Sequence, residues 1–292
     1  MSRRTLVIFV VVGVVATLFT TALTVLFFIA GVREDFPSPG DKALGYVTIE
    51  GTLTDSRETV RQLRSLGKNP KVKGVLIRVE SPGGGVTAAH EIYTEIKRLR
   101  DAGKPVVVSM GTVAASGGYY ISTPATVIAA NPGTLTGSIG VIMQLPIVNR
   151  LLDKLGLKVE TIKSREAKDI GSPFREMTEK DRQLLQDVVS DVYEQFLNIV
   201  STERKIPLDS LKKIADGRIL TGRQAKQFGL VDTLLTLEEA KRLLADMCGI
   251  KGEPRLLKPR PRLPYYLRNL FEKGAEEFLG LSRFPRLMFR WF

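Results

Sequence analysis

Apolar residues fall into three kinds of run along this chain. The first is unbroken: Leu6 to Ala30 is 25 residues without a charge, rich in Val, Leu, Phe and Ile. At about 1.5 Å per residue, a helix of that length spans about 37 Å, more than the roughly 30 Å of a bilayer's hydrocarbon. The pattern predicts a transmembrane anchor over residues 6–30. Phe28 stands where a small residue is needed for cleavage after Ala30, so the segment is expected to stay attached. Arg3 and Arg4 precede it, and Arg33, Glu34 and Asp35 follow it. The positive-inside rule then leaves residues 1–5 in the cytoplasm and the rest of the chain on the far side of the inner (cytoplasmic) membrane, as a single-pass protein.

The second kind is the short β-branched run, and it alternates with the third, a longer amphipathic stretch. Strands are predicted at Gly45–Glu50, Gly74–Val79, Val106–Met110, Val127–Ala130, Ile139–Met143 and Lys158–Ile162. Helices are predicted at Ser56–Leu66, Val86–Leu99, Ser116–Ser122 and Ile147–Leu155. Four more follow at Thr178–Lys205, Leu208–Ala215, Gly222–Phe228 and Leu237–Met247. Near-continuous Val/Ile strands alternating with helices specify an α/β domain with a buried, largely parallel sheet. The division expected is a linker over 31–44, an extracytoplasmic domain over 45–250 and a tail over 251–292.

Composition removes several chemistries. The chain holds one cysteine, Cys248, and one histidine, His90. No internal disulfide can form, and the usual His/Cys zinc site lacks ligands, so neither a metal nor a cofactor is expected. The net charge is +12, and residues 251–292 carry ten Lys/Arg against four Glu. That tail also contains Tyr265, Tyr266, Phe271, Phe278, Phe284, Phe289, Trp291 and Phe292. Cations mixed with aromatics suit a membrane surface, although a contact between subunits fits the tail as well. Nucleic acid is not an expected partner, because the basic excess outside the tail is modest.

Two loops carry candidate chemistry. Ser81-Pro82-Gly83-Gly84-Gly85 lies between a predicted strand and helix, where glycines let the backbone approach a ligand and helix N–H groups favour an anion or oxyanion. No Gly-Lys-Ser/Thr follows, so it is not a P-loop. The second, Gly111 to Tyr120, centres on Ser116, which is flanked by Ala and Gly. Such a serine has an uncrowded hydroxyl and a free N–H at the next residue, as a nucleophile needs, and a helix cap would use it too. Ala114 departs from the Gly-x-Ser-x-Gly elbow of α/β-hydrolases. Its activator would be His90 or a lysine, and Lys163 and Lys168 share one loop. A lysine titrating near 10.4 must drop by about 3 units to be neutral near pH 7. Spacing alone does not choose between the two.

Together, Ser-Pro-Gly-Gly-Gly-Val, Ala-Ala-Ser116-Gly-Gly-Tyr-Tyr-Ile, Gly-Thr-Leu-Thr-Gly-Ser138-Ile-Gly-Val and Lys168-Asp-Ile-Gly-Ser-Pro-Phe-Arg resemble the signal peptide peptidase A (SppA) family in its short bacterial form. The likeness runs from about Gly45 to Leu244. It implies a ClpP/crotonase-like α/β fold with repeated β-β-α units, preceded by one transmembrane helix. It also implies a serine endopeptidase with a Ser-Lys dyad that degrades remnant signal peptides in the membrane. Ser116 matches the nucleophile, Lys168 the base and Ser138 a serine that orients the lysine. Gly83 or Gly84, with Gly117, matches the oxyanion donors. The implied partners are cleaved signal peptides and other apolar segments, membrane lipid, and further copies of the chain in an octamer whose dyad is shared between subunits. Alternative readings are a crotonase-like acyl-CoA enzyme and a non-catalytic membrane scaffold in which Ser116 only caps a helix.

Overall fold

A computed structural model describes residues 13–23, 42–259 and 288–290. By its internal contacts the chain divides into residues 1–41 and 42–292. In the first unit, residues 13–23 are helical. The Thr17, Thr20 and Thr21 hydroxyls there donate to carbonyls one turn back, and Val14, Leu18, Phe19 and Leu23 are exposed. No helix among the described residues is long and apolar enough to cross a membrane. The remainder of the predicted anchor, residues 6–12 and 24–30, lies outside the described residues.

The second unit opens with β1 (Ala43–Glu50), α1 (Arg57–Lys68), β2 (Val72–Ser81), β3 (Gly83–Gly85), α2 (Val86–Asp101), β4 (Val106–Ala115) and α3 (Gly117–Ser122). It continues with β5 (Val127–Ala130), β6 (Leu135–Gly137), α4 (Asn149–Lys154), a single 3-10 turn (Glu166–Asp169), α5 (Glu179–Arg204) and α6 (Leu208–Lys212). Last come β7 (Ile219–Thr221), α7 (Gly222–Gln227), β8 (Thr233–Leu234), α8 (Leu237–Met247), β9 (Arg255–Leu257) and β10 (Met288–Arg290).

The main sheet runs β7-β6-β4-β2-β1-β9, with β5 beside β4 and β8 beside β5. Its pairs are parallel except β6 with β7. The strand period of two sorts the core. Val75, Ile77 and Val79 join a cluster with Leu63 and Leu66 of α1 and Ile92, Ile96 and Leu99 of α2. Leu44, Leu76 and Val107 join a second cluster with Ala240, Leu244 and Ala245 of α8. Helices therefore cover both faces, as continuous apolar strands require. Strand β9 pairs in parallel with the start of β1, so Arg255–Leu257, within the stretch assigned to the tail, is an edge strand.

Two features set up the site. Strand β4 pairs with β5 through Val107–Ser109 but with β6 through Val113–Ala115, so it leaves one neighbour for another along its length. The switch coincides with a register irregularity against β2, where Val79 faces Met110 yet Ser81 faces Ala114. Two predicted strands are not formed. At Ile139–Met143 the strand falls earlier, at β6, and left-handed backbone at Gly137 and Ser138 (φ 73° and 49°) turns the chain away. At Lys158–Ile162 the β-branched residues find no neighbouring strand among the described residues, and Ile162 is 96% exposed.

Candidate active site

Ser116 stands between the end of β4 and the start of α3, with φ 52° and ψ −113°. A non-glycine residue rarely adopts that conformation, which costs on the order of 1–3 kcal/mol and persists only where surroundings over-determine it. Here they do. The Ser116 N–H donates to the Gly137 carbonyl at 2.8 Å, and the Ser116 carbonyl accepts from the Tyr120 N–H at 2.8 Å. All six residues of α3 are buried, and the Tyr119 hydroxyl donates to the Leu230 carbonyl at 3.0 Å. The Ser116 side chain is thereby fixed at 1% exposure, and its Oγ has no hydrogen-bond partner among the described residues. It caps no helix N–H through its side chain, so the capping role is not the one it fills.

The glycine loop lies against the same helix. A Cβ on Gly118 would sit 2.6 Å from the Ser81 carbonyl, and one on Gly84 would sit 2.4 Å from the Leu53 nitrogen. Gly83 and Gly84 both have positive φ, at 109° and 155°. Gly83 donates its N–H to Ser81 Oγ at 3.2 Å, and the Ser81 hydroxyl donates to the Gly51 carbonyl at 2.6 Å. Of the two candidate oxyanion donors in this loop, Gly83 is therefore held by Ser81, and Gly84 stands opposite Phe289 of β10. Gly117 begins α3, where N–H groups have no partner inside the helix.

Ser138 sits beside Ser116 across the β4–β6 pair. Ala115 faces Gly137, and Ser138 follows at 6% exposure with its N–H on the Arg218 carbonyl at 2.8 Å. The two lysines have different surroundings. Lys163 Nζ is held by Asp169 Oδ1 at 2.7 Å and the Glu166 carbonyl at 3.1 Å. Lys168 is exposed on the 3-10 turn, and its side chain has no hydrogen bond or ion pair among the described residues. The nearby carboxylates are engaged elsewhere: Glu166 with Lys180 at 2.5 Å, and Asp169 with Arg175 at 2.9 Å as well as with Lys163. Arg175, with Lys163 behind it, holds the Asp169 carboxyl well below the usual range. Arg175 also bonds Asp181 at 2.5 Å and, with the Thr178 N–H, lowers that carboxyl to about 2. Within one chain Lys168 and Ser116 are not hydrogen-bonded.

His90 is likewise not bonded to Ser116. Its Nδ1 lies 2.8 Å from the Tyr120 hydroxyl, whose titration burial pushes upward. Sequence reasoning missed Glu80. Its Oε2 and Oε1 accept the Thr112 and Val113 N–H groups, each at 2.9 Å, where β4 changes partner. A Cβ on Gly111 would fall 1.7 Å from Glu80 Oε2, so Gly111 leaves room for the carboxylate. Thr134 and Thr136 were missed too: their hydroxyls donate to the Gly111 and Ala114 carbonyls, each at 2.7 Å. The only sequence signal was Thr-rich spacing beside a glycine, which many turns share.

The α/β sheet, with a strained, buried serine beside a glycine-lined strand, is similar in part to the Clp protease fold. The Clp protease model matches residues 46–134, and the peptidase family S49 model matches residues 98–251. The chain belongs to peptidase family S49, a family of serine peptidases. It is 39% identical to "Putative protease slr0021" of Synechocystis sp. over 74% of this chain and 78% of that one. It is 37% identical to Protease 4 of Salmonella typhi over 74% of this chain but 36% of that longer protein. It is 34% identical to the chloroplastic serine protease SPPA of Arabidopsis thaliana over 82% of this chain and 36% of that one.

Proposed function

We propose that this chain is a membrane-anchored serine endopeptidase that degrades apolar peptide segments, including signal peptides left in the bilayer. In this reading Ser116 is the nucleophile and neutral Lys168 takes its proton. The Ser116 oxygen attacks the scissile carbonyl, and the lysinium then protonates the leaving amine as the acyl-enzyme forms. The N–H groups of Gly83 or Gly84, with Gly117, supply the oxyanion donors, and Ser138 orients the lysine.

The observation that carries the proposal is the Ser116 hydroxyl, buried yet without a hydrogen-bond partner among the described residues. An unsatisfied buried hydroxyl costs about 1–3 kcal/mol and has no structural return here. Lys168 is the complementary half: a lysine whose side chain has no partner among the described residues, on a segment whose neighbours are also uncovered. Ile147, Leu151, Leu155, Leu157, Val159 and Phe174 are all exposed. A second copy of the chain packed on this segment would cover them and deliver Lys168 to a neighbour's Ser116, in a ring such as an octamer.

For localisation, the uncharged stretch 6–30 supports a single-pass anchor in the cytoplasmic membrane with the domain on the outer side. The basic, aromatic tail supports contact with lipid on that surface. The test is the cleavage rate of a quenched fluorogenic signal-peptide mimic by wild type, Lys163→Ala and Lys168→Ala. Loss confined to Lys168→Ala is the expected result. Equal activity in all three would remove the dyad.

A further inference from the structure

The sheet has a basic end that the peptidase reading does not use. Strands β1, β2 and β4 run parallel, so all three begin at the end opposite Ser116. Lys42 precedes β1, and the Ala43 N–H donates to the Lys71 carbonyl at 2.9 Å. Lys73 lies in β2 between Val72 and Gly74, which face Ala43 and Leu44. Lys68 closes α1, and Lys104, just before β4, donates from Nζ to the Leu66 and Asn69 carbonyls at 3.1 and 2.9 Å. Burial, with Lys73 alongside, holds the Lys104 ammonium below its usual value.

None of these five lysines has an ion-pair partner among the described residues. The arginines of α1 differ: Arg57 pairs with Asp55, Arg61 with Glu58 and Arg64 with Glu95. Two carboxylates on adjoining segments are already taken, Asp101 by Lys97 and Arg100, and Glu253 by Lys241. The carboxyl end of α1 accounts for Lys104 and favours Lys68, but Lys42, Lys71 and Lys73 lie beyond it. Clustered like charges repel one another, and an anionic partner relieves that repulsion. The chain itself indicates which partner. Residues 31–41 alone separate Lys42 from Ala30, where the uncharged stretch ends, and fully extended they reach at most about 40 Å. The lysine end is therefore tethered to the surface of any bilayer which that stretch spans.

We infer that Lys42, Lys68, Lys71, Lys73 and Lys104 form a docking surface for anionic phospholipid headgroups, which sets how the domain stands on the membrane. The inference rests on the anchor proposed above and adds an attachment independent of residues 251–292. Each lysine at such a surface strengthens attachment by about fivefold, and the gain falls away in salt.

The test is a lysine footprint of the full chain in nanodiscs of phosphatidylcholine, alone or with about 30% phosphatidylglycerol. Amines are acetylated and each lysine is read by mass spectrometry, with the exposed Lys212 and Lys213 as references. Labelling of Lys68, Lys71 and Lys73 is expected to fall at least about fivefold in the anionic nanodiscs and to recover in about 1 M salt. In a Lys68→Gln/Lys71→Gln/Lys73→Gln variant, Lys42 should lose its protection while cleavage of the quenched peptide in detergent stays at the wild-type rate. Equal labelling in both lipids would overturn the inference, as would an equal fall at Lys212 and Lys213. Protection already present in phosphatidylcholine and unmoved by salt would also overturn it, because protein rather than lipid then covers this end. The anchor is read separately, from whether the chain stays with phosphatidylcholine nanodiscs in about 1 M salt. Release there, with salt-sensitive protection by anionic nanodiscs, would remove the anchor and keep the lysine surface.

Discussion

Ser116 and Ser138 are the first residues beyond a matched pair in the sheet. Ala115 of β4 faces Gly137 of β6, and the next residue on each strand is a serine with positive φ, 52° and 49°. The Ser116 N–H donating to the Gly137 carbonyl couples the two turns. Two non-glycine residues in strained conformations at adjacent strand ends cost on the order of 1–3 kcal/mol each. A fold tolerates such strain where it positions chemistry.

Replacement of Ser116 should therefore separate stability from activity. Ser116→Ala removes an unsatisfied buried hydroxyl, and Ser116→Gly also relieves the backbone, offset by about 0.5–1 kcal/mol of unfolded-chain entropy. Both variants are expected to melt no lower than wild type. Both should lose at least roughly a thousandfold in kcat/KM if the hydroxyl is the nucleophile. Thermal melts beside the fluorogenic assay check this, and a destabilised, active Ser116→Ala would refute it.

A dyad completed between subunits makes a different demand. Ser116→Ala and Lys168→Ala chains, each inactive alone, should regain activity when co-assembled. In a ring mixed at random in equal parts, about one site in four unites an intact Ser116 with a neighbour's intact Lys168. Recovery near a quarter of the wild-type rate is expected after co-expression. No recovery in oligomers shown by mass spectrometry to be mixed would rule out sharing.

How much of this was legible beforehand follows from where each signal lives. Strands such as Val127–Ala130 and helices such as Leu237–Met247 fall where the apolar period put them, because local propensity and burial agree there. Lys158–Ile162 misled for the opposite reason: its β-branched residues favour extension, but a strand needs a partner, and the described residues offer none. The serine and glycine positions could be read from their flanks. Glu80 could not, because its role depends on a bulge that appears only once β2 and β4 are in register. Lys168 over Lys163 was a matter of resemblance, and the structure adds that Lys163 is tied to Asp169.

The ion-pair network beside Lys168 should make that segment sensitive to acid. Asp169 is held below the ordinary carboxylate range, chiefly by Arg175, and Asp181 is lowered to about 2. For a carboxylate whose folded value is depressed, the stabilisation is complete above its unfolded value, about 3.9, and is lost as pH falls through the folded one. Wild type should lose urea resistance between about pH 4 and pH 2 through these groups. Arg175→Ala should start lower at pH 6 and change less across the same window. Parallel pH profiles of the two proteins would show that this network is not responsible.

Glu80 gives the last prediction, because it joins the sheet to the turn that presents Ser116. Its two carboxylate oxygens satisfy Thr112 and Val113 N–H groups that lose their ladder partners where β4 bulges. Hydrogen bonds to a charged group contribute about 1.5–3 kcal/mol when buried, and the Glu80 side chain is 36% exposed. A loss of about 1–2 kcal/mol is thus expected for Glu80→Ala. Glu80→Gln keeps one acceptor and turns an amide NH2 toward the second N–H, so it should recover only part of that loss. If Glu80 positions Ser116, kcat should fall by about 10–100-fold in Glu80→Ala with KM little changed, since the defect lies in the nucleophile's placement. A variant destabilised by that amount but with wild-type kcat would reduce Glu80 to a purely structural residue.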